Sequence, residues 1–229
     1  MNIALAILCL LMCLFSACTN STSVTEETFP DKAYKFLYNG KSGTRYVYTT
    51  FEKTIDTNGV ETQTRVTTAY EFIITQSITN DTNGRTVVKG TIQPYNGFAS
   101  DWVYNSNDTL LELRTDYKSS DFQVQLKTPF STTTSFKTSD GLFSNDTSTT
   151  SITEVNTTRQ VPAGMFRVIG TTSTLHEQQT SVNTYYTNKY WYSEGTGLIE
   201  NQSIITSIYP SGKKHTHSIY MMLSEIRHP

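Results

Sequence analysis

The chain has 229 residues, 18 basic and 20 acidic side chains, a formal charge of -2 at pH 7 and a pI near 6.1. This near-neutral balance leaves no electrostatic case for nucleic-acid binding, which needs a basic patch or stripe. Hydrophobic residues make up only 36% of the chain, but 14 Tyr, 11 Phe and abundant Thr favour pleated strands over helices. The length suits one domain, or two closely fused halves.

The N-terminus carries an apolar run over residues 3–15, followed by Ser16, Ala17 and Cys18. The run is too short for a bilayer core, which needs ~20 apolar residues, and is typical of a signal peptide. Leu14-Phe15-Ser16-Ala17-Cys18 resembles the lipobox of bacterial lipoproteins, in which the cysteine is lipidated and signal peptidase cuts before it. The resemblance implies a signal peptide over 1–17 and a lipid on Cys18. An ordinary secretory signal or a short buried helix is the alternative.

A polar segment follows this leader. Residues 19–25 are polar and Ser/Thr-rich without an apolar pattern, so we predict a tether over 18–32 and a folded domain over 33–229. The three cysteines all lie in the leader or at its end, at Cys9, Cys13 and Cys18. We therefore expect a mature domain without a disulfide or a thiolate metal site.

The domain has the pattern of antiparallel strands. Alternation of apolar and polar residues is clearest over residues 121–127. The same pattern recurs over residues 45–53, 70–78, 101–104 and 109–115. Asn-Gly at 58–59 and at 83–84 suits tight hairpin turns, whereas residues 131–158 fit either polar edge strands or a mobile loop. The expected fold is all-β: a single large antiparallel meander of about a dozen strands, as a curved open sheet or half-barrel with few or no helices.

Two segments of the C-terminal third resemble a paired motif of uncharacterised bacterial exported proteins. Residues 161–166 read VPAGMF, and residues 190–199 read YWYSEGTGLI. In those proteins a PAG-x-F strand start precedes a YWY-x-x-G-x-G-L hairpin, and related folds look like the open half-barrel of the lipoprotein carriers LolA and LolB. The resemblance implies a concave face that holds acyl chains; it implies no particular activity. Glu194 and Thr196 stand where the family has Pro and Val, which predicts a looser turn.

The last strand and the aromatic strand before it are apolar on both faces. Alternation puts one set of side chains on one face of the last strand: Ile219, Met221 and Leu223. It puts the other set on the opposite face: Tyr220, Met222 and Ile226. Without an amphipathic helix to cover it, such a sheet must close on itself or leave a surface for a ligand. The candidate ligand-binding residues are Trp191, Tyr190, Tyr192, Tyr220 and Met222, and a packed core is the alternative.

No catalytic or metal-binding motif is complete. Residues 176–177 begin like the zinc-protease motif, but Thr180 stands in place of the second histidine. His215 and His217 share a strand face without an identifiable third ligand. The sequence at 195–197 lacks the third glycine of a dinucleotide loop. We therefore expect no catalytic residue, metal or cofactor, although carboxylates distant in sequence can meet in a fold.

These observations predict a non-catalytic cell-envelope lipoprotein, attached to the membrane by its lipid. Its β domain is expected to bind an apolar small molecule or an envelope partner protein, and no nucleic acid. One alternative is a structural or surface-interaction module without a ligand pocket, and another is a hydrolase of envelope polymers. Thr19 follows the cysteine where many Gram-negative bacteria use Asp for inner-membrane retention. This resemblance implies the outer membrane, facing the periplasm.

Overall fold

A computed structural model of the chain describes residues 28–80, 82, 84–93, 98–105, 108–114, 123–139 and 147–229. Within these ranges the chain forms twelve strands and one 3₁₀ turn, Ala33–Phe36. The strands are β1 (Arg45–Ile55), β2 (Glu61–Asn80), β3 (Thr86–Gln93), β4 (Phe98–Asn105), β5 (Thr109–Arg114), β6 (Gln123–Lys127), β7 (Ser135–Ser139), β8 (Thr147–Val161), β9 (Gly164–Gln179), β10 (Val182–Ser193), β11 (Gly197–Ile208) and β12 (Lys214–Arg227). The predicted strands are present within the described ranges, and residues 115, 121 and 122 of two of them lie outside those ranges. Much of 131–158 belongs to strands β7 and β8.

All twelve strands belong to one antiparallel sheet, in the order β6-β5-β4-β3-β2-β1-β12-β11-β10-β9-β8-β7. The first and last strands pair at its centre, so two meanders of six strands each join there. The edge strands β6 and β7 are not hydrogen-bonded to each other, so the sheet is open, but Cα atoms of the two strands come within 8 Å. The expected fold class, an all-β curved open antiparallel sheet, is confirmed.

The inner face of the curved sheet is filled by the segment that precedes β1. Phe36, Leu37 and Tyr38 of this segment are at most 2% exposed. The Ala33 N–H donates at 2.9 Å to Oδ1 of Asp108, which directly precedes β5 in the first half of the sheet. Backbone hydrogen bonds of 2.8 Å join Lys35 O and the Asn39 N–H to Gly195, in the turn between β10 and β11. The segment therefore bridges both halves and supplies the layer that the sheet needs to bury its inner face. We call residues 33–38 the inner segment.

A cluster of tyrosines anchors the inner segment to the sheet. The Tyr38 ring lies 4.7 Å from Tyr46 and 4.5 Å from Phe72, measured between centroids. The Tyr38 hydroxyl is 3.1 Å from the Tyr48 hydroxyl, which donates to Leu198 O at 2.7 Å. Burial raises the pKa of Tyr48 well above its ordinary value, so its hydroxyl keeps its proton. These bonds satisfy polar groups that burial would otherwise leave without partners.

A bulge in β12 changes which residues share a face. The pairing with β1 shifts by one residue at Ser224, whose hydroxyl donates to Val47 O at 2.9 Å. Because a bulge reverses the alternation beyond it, Ile226 joins the face of Leu223. The prediction that Ile226 shares the face of Met222 is wrong for this reason.

Close packing of the inner segment predicts a large cost for a single methyl group at Gly197. This glycine has φ +74°, and a Cβ there would lie 2.7 Å from the Tyr38 ring. We expect Gly197→Ala to lower the free energy of unfolding by about 2–5 kcal/mol, the sum of backbone strain and overpacking, in urea denaturation. Gly212 has φ +78° with nothing within 4 Å, so Gly212→Ala carries only the strain of about 1–2 kcal/mol. Equal costs for the two variants would contradict the packing argument.

Candidate functional site

The five candidate ligand-binding residues lie on two different faces of the sheet. Tyr190 and Tyr192 are on the inner face, with stacked rings 6.3 Å apart. Tyr192 is fully buried, and its hydroxyl donates to Gln125 Oε1 of β6 at 2.6 Å, across the interior. Trp191 lies on the opposite face, over Gly170 of β9. The inner pair is thus part of the core.

Strand register builds a groove on the outer face, which is the face opposite the inner segment. Two adjacent rows of cross-strand partners form its floor. The first row is Phe51, Tyr220, Gln202, Lys189 and Thr172. The second row is Met222, Glu200, Trp191, Gly170 and Glu154. Neighbouring strands are ~4.8 Å apart, so each row of five spans ~19 Å. We call this surface the outer groove.

One end of the outer groove is an apolar cavity of about 350 Å³. Its lining residues are Phe51, Lys53, Gln63, Tyr220 and Met222. The structure thus brings Tyr220 and Met222 together and adds Phe51, which pairs directly with Tyr220. At its rim, Lys53 Nζ is 2.8 Å from Glu61 Oε2. Sequence reasoning missed Phe51 because no local pattern relates positions 51 and 220.

The other end is a polar cavity of about 460 Å³, which also includes Tyr220. The Arg159 guanidinium lies over the Trp191 ring, 3.6 Å from its centroid. It also reaches Glu154 Oε1 at 3.5 Å and Glu200 Oε2 at 3.3 Å. A cation over an indole ring and between two carboxylates is attracted to all three. Arg159 therefore organises the wall of this cavity.

Trp191 contributes a donor without an acceptor. Its side chain is 4% exposed, and Nε1 has no hydrogen-bond partner among the described residues. The ring has room because Gly170 lacks a side chain, and a Cβ there would lie 2.9 Å from Nε1. An unpaired buried N–H costs free energy and calls for an explanation.

The two carboxylates of the polar cavity are held by the same guanidinium. Burial raises the pKa of Glu200, the Arg159 charge opposes that rise, and the Glu154 charge adds to it. The effect of burial on the Glu200 pKa exceeds the effect of the ion pair, because the Glu200 side chain is only 12% exposed, whereas the Arg159 side chain is 30% exposed. With both acids bound to Arg159, the arrangement favours a structural charge network over a proton-transfer pair.

Three side chains of the first row have hydrogen-bonding groups that meet no partner in the described part of the chain. They belong to Lys189, Gln202 and Tyr220; none of the three makes a side-chain hydrogen bond there, although Tyr220 also interacts electrostatically with Lys53. The Lys189 ammonium in particular makes no ion pair there, although Glu200 and Glu154 line the same cavity. The polar cavity therefore presents an unpaired cation beside neutral hydrogen-bonding groups.

Two of the three histidines of the sequence analysis take part in other contacts. His217 Nδ1 is 3.2 Å from Thr54 Oγ1, and His176 stacks on Tyr185 at 4.3 Å. No group of three or more His, Cys, Asp or Glu residues suits a metal ion within the described ranges. Nor does any helix in those ranges have the length and apolarity to cross a membrane. Cys18 and residues 1–17 lie outside the described residues.

No protein-family model matches the chain, and no curated protein matches its sequence. Two solved structures are similar in fold. One, from Bacteroides fragilis NCTC 9343, is assigned as an exported protein with a YmcC-like fold; it has a TM-score of 0.45 and 11% identity, covering 84% of this chain and 99% of that chain. The other, from Parabacteroides distasonis ATCC 8503, is assigned as a lipoprotein. It has a TM-score of 0.43 and 11% identity, and the match covers 83% of this chain and 97% of that chain.

Proposed function

We propose that this chain is an exported, lipid-anchored protein of the bacterial cell envelope that binds an apolar molecule at the apolar end of the outer groove. The role is non-catalytic, and the membrane is the outer membrane, with the domain facing the periplasm. The observation that carries the binding role is the cavity of Phe51, Tyr220 and Met222, which the inner segment leaves uncovered.

The leader supports the anchor. An apolar run ends at Ser16-Ala17-Cys18 and a polar stretch follows, as export and lipidation require. The Phe29 ring packs on Phe36 at 5.9 Å, inside the stretch expected to be tether. Only the ten residues 19–28 then separate Cys18 from the packed domain. Such a segment reaches at most ~35 Å, so the anchor would hold Phe29 within that distance of the bilayer.

The dimensions and chemistry of the apolar cavity support ligand binding. Its volume of about 350 Å³ is at the lower end of the range for small-molecule sites. Met222 is an adaptable side chain that suits a binding wall. The resemblance to carriers placed a ligand on the concave face, but here the inner segment occupies that face. The ligand therefore binds on the outer face.

A surface-interaction module is the second candidate. It is favoured by the burial of Tyr192, whose hydroxyl donates to Gln125 across the interior, and by the inner segment, which packs on the inner face. The hydrolase alternative has less support, because Arg159 holds both carboxylates of the polar cavity.

The binding role is tested with the mature chain from residue 18, made with Cys18→Ser so that it is unlipidated and needs no detergent. We expect saturable binding of a fluorescent fatty-acid probe, and we expect Phe51→Ala to weaken it about tenfold or more, because an aromatic contact surface is lost. Tyr185→Ala is the matched control, since Tyr185 is 42% exposed and lies outside both cavities. Absence of saturable binding, or an equal effect of the two substitutions, would leave the interaction module as the better reading.

A further inference from the structure

The two ends of the outer groove differ in polarity and are continuous through one residue. Tyr220 lines both cavities, and in the first row it stands between Phe51 and Gln202. A ligand that covers both ends therefore contacts apolar side chains on one side of Tyr220 and polar side chains on the other.

The polar end selects the charge of what it binds. Its charged acceptors, Glu154 and Glu200, are both held by Arg159 at 3.5 and 3.3 Å. Its unpaired charged group is a donor, the Lys189 ammonium. A ligand that completes this cavity must therefore supply an acceptor, and an anionic acceptor gains most from an ammonium.

Strand pairing places two of the donors side by side. Gln202 lies beside Lys189 in the first row, through direct strand pairing, and can donate to the same acceptor. In the second row, Trp191 also lines this cavity, and its buried Nε1 lies over Gly170. An acceptor bound between Lys189 and Gln202 would receive hydrogen bonds from both side chains.

We infer that the outer groove binds an amphiphile with one anionic group, a carboxylate or a phosphate, held by Lys189 and Gln202, and with its apolar chain over Phe51 and Met222. The inference rests on the proposed binding at the apolar end and adds the chemical class of the ligand. Tyr220 contacts the junction between head and chain, where its ring and its hydroxyl suit the two environments.

The test compares four probes that share a twelve-carbon chain and differ in the head: dodecanoate, dodecyl phosphate, dodecanol and dodecyltrimethylammonium. Each is titrated below its micellar concentration into the unlipidated mature chain. We expect at least one of the two anions to bind about tenfold more tightly than dodecanol, as one charge-assisted hydrogen bond provides. The anion that binds more tightly identifies the headgroup chemistry, and equal affinities support the shared anionic requirement.

Variants assign the preference to Lys189. Lys189→Met should reduce anion binding to the affinity of dodecanol and leave dodecanol binding unchanged, whereas Lys189→Arg should keep the preference. Lys214→Met is the matched control, because Lys214 is exposed and lies outside both cavities. If dodecanol binds as tightly as the anions, if Lys189→Met keeps the preference, or if the cation binds most tightly, the inference is overturned and the apolar site stands. If no probe binds, the proposed function fails with it.

Discussion

Replacing Cys18 with Ser should release the protein from membranes. The lipobox resemblance implies acyl chains on this residue, each worth on the order of ten kcal/mol at about 0.8 kcal/mol per buried CH₂ group. One chain gives only marginal attachment, so stable anchoring needs the several chains of a lipidated cysteine. Cell fractionation after a high-salt wash measures the effect, and we expect the variant entirely in the soluble fraction.

A matched control exists in the leader itself. Cys13→Ser removes a thiol five residues upstream and leaves Ser16-Ala17-Cys18 intact, so this variant should stay in the membrane fraction. A radioactive fatty acid should likewise be incorporated into the Cys13→Ser protein and not into the Cys18→Ser protein. A Cys18→Ser protein that still sediments with membranes would contradict lipidation. It would point instead to an uncleaved leader acting as a plain anchor.

Phe36→Ala should be among the most destabilising single substitutions in the domain, lowering the free energy of unfolding by about 3–5 kcal/mol. Phe36 is fully buried in the inner segment, and its ring meets Phe130 edge-on at 5.5 Å and Phe29 at 5.9 Å. The cavity left by truncation lies where the segment bridges the two halves of the sheet. Urea denaturation measures the loss.

The control for this substitution is Tyr34→Ala, in the same 3₁₀ turn. Tyr34 is 41% exposed, and its ring lies 5.7 Å from the Lys35 ammonium. A partly exposed ring with this contact should cost about 0.5 kcal/mol, the scale of surface substitutions. If both alanines cost the same, the inner segment is not the layer that buries the inner face.

The sequence determined the local structure of this protein. Alternation predicted strands that the structure contains, such as β1 and β5, because a strand repeats every two residues and the repeat is visible in the residues themselves. The turn at Asn58-Gly59 was also readable, since Gly59 has φ +82° as such a turn requires. The opposite orientation of Trp191 and its tyrosine neighbours follows from the same repeat.

Only the tertiary structure decided how these pieces meet. The pairing of β1 with β12 joins residues far apart in the chain, and the hydrogen bond from Tyr48 to Leu198 spans 150 positions. Strand pairing depends on register and on long-range packing, which local periodicity does not encode. For the same reason the rows that bring Phe51 to Tyr220 and Lys189 to Gln202 were not visible in the sequence. The inner segment was missed because a turn of four residues is too short to show a helical repeat, and its burial depends on the curvature of the whole sheet.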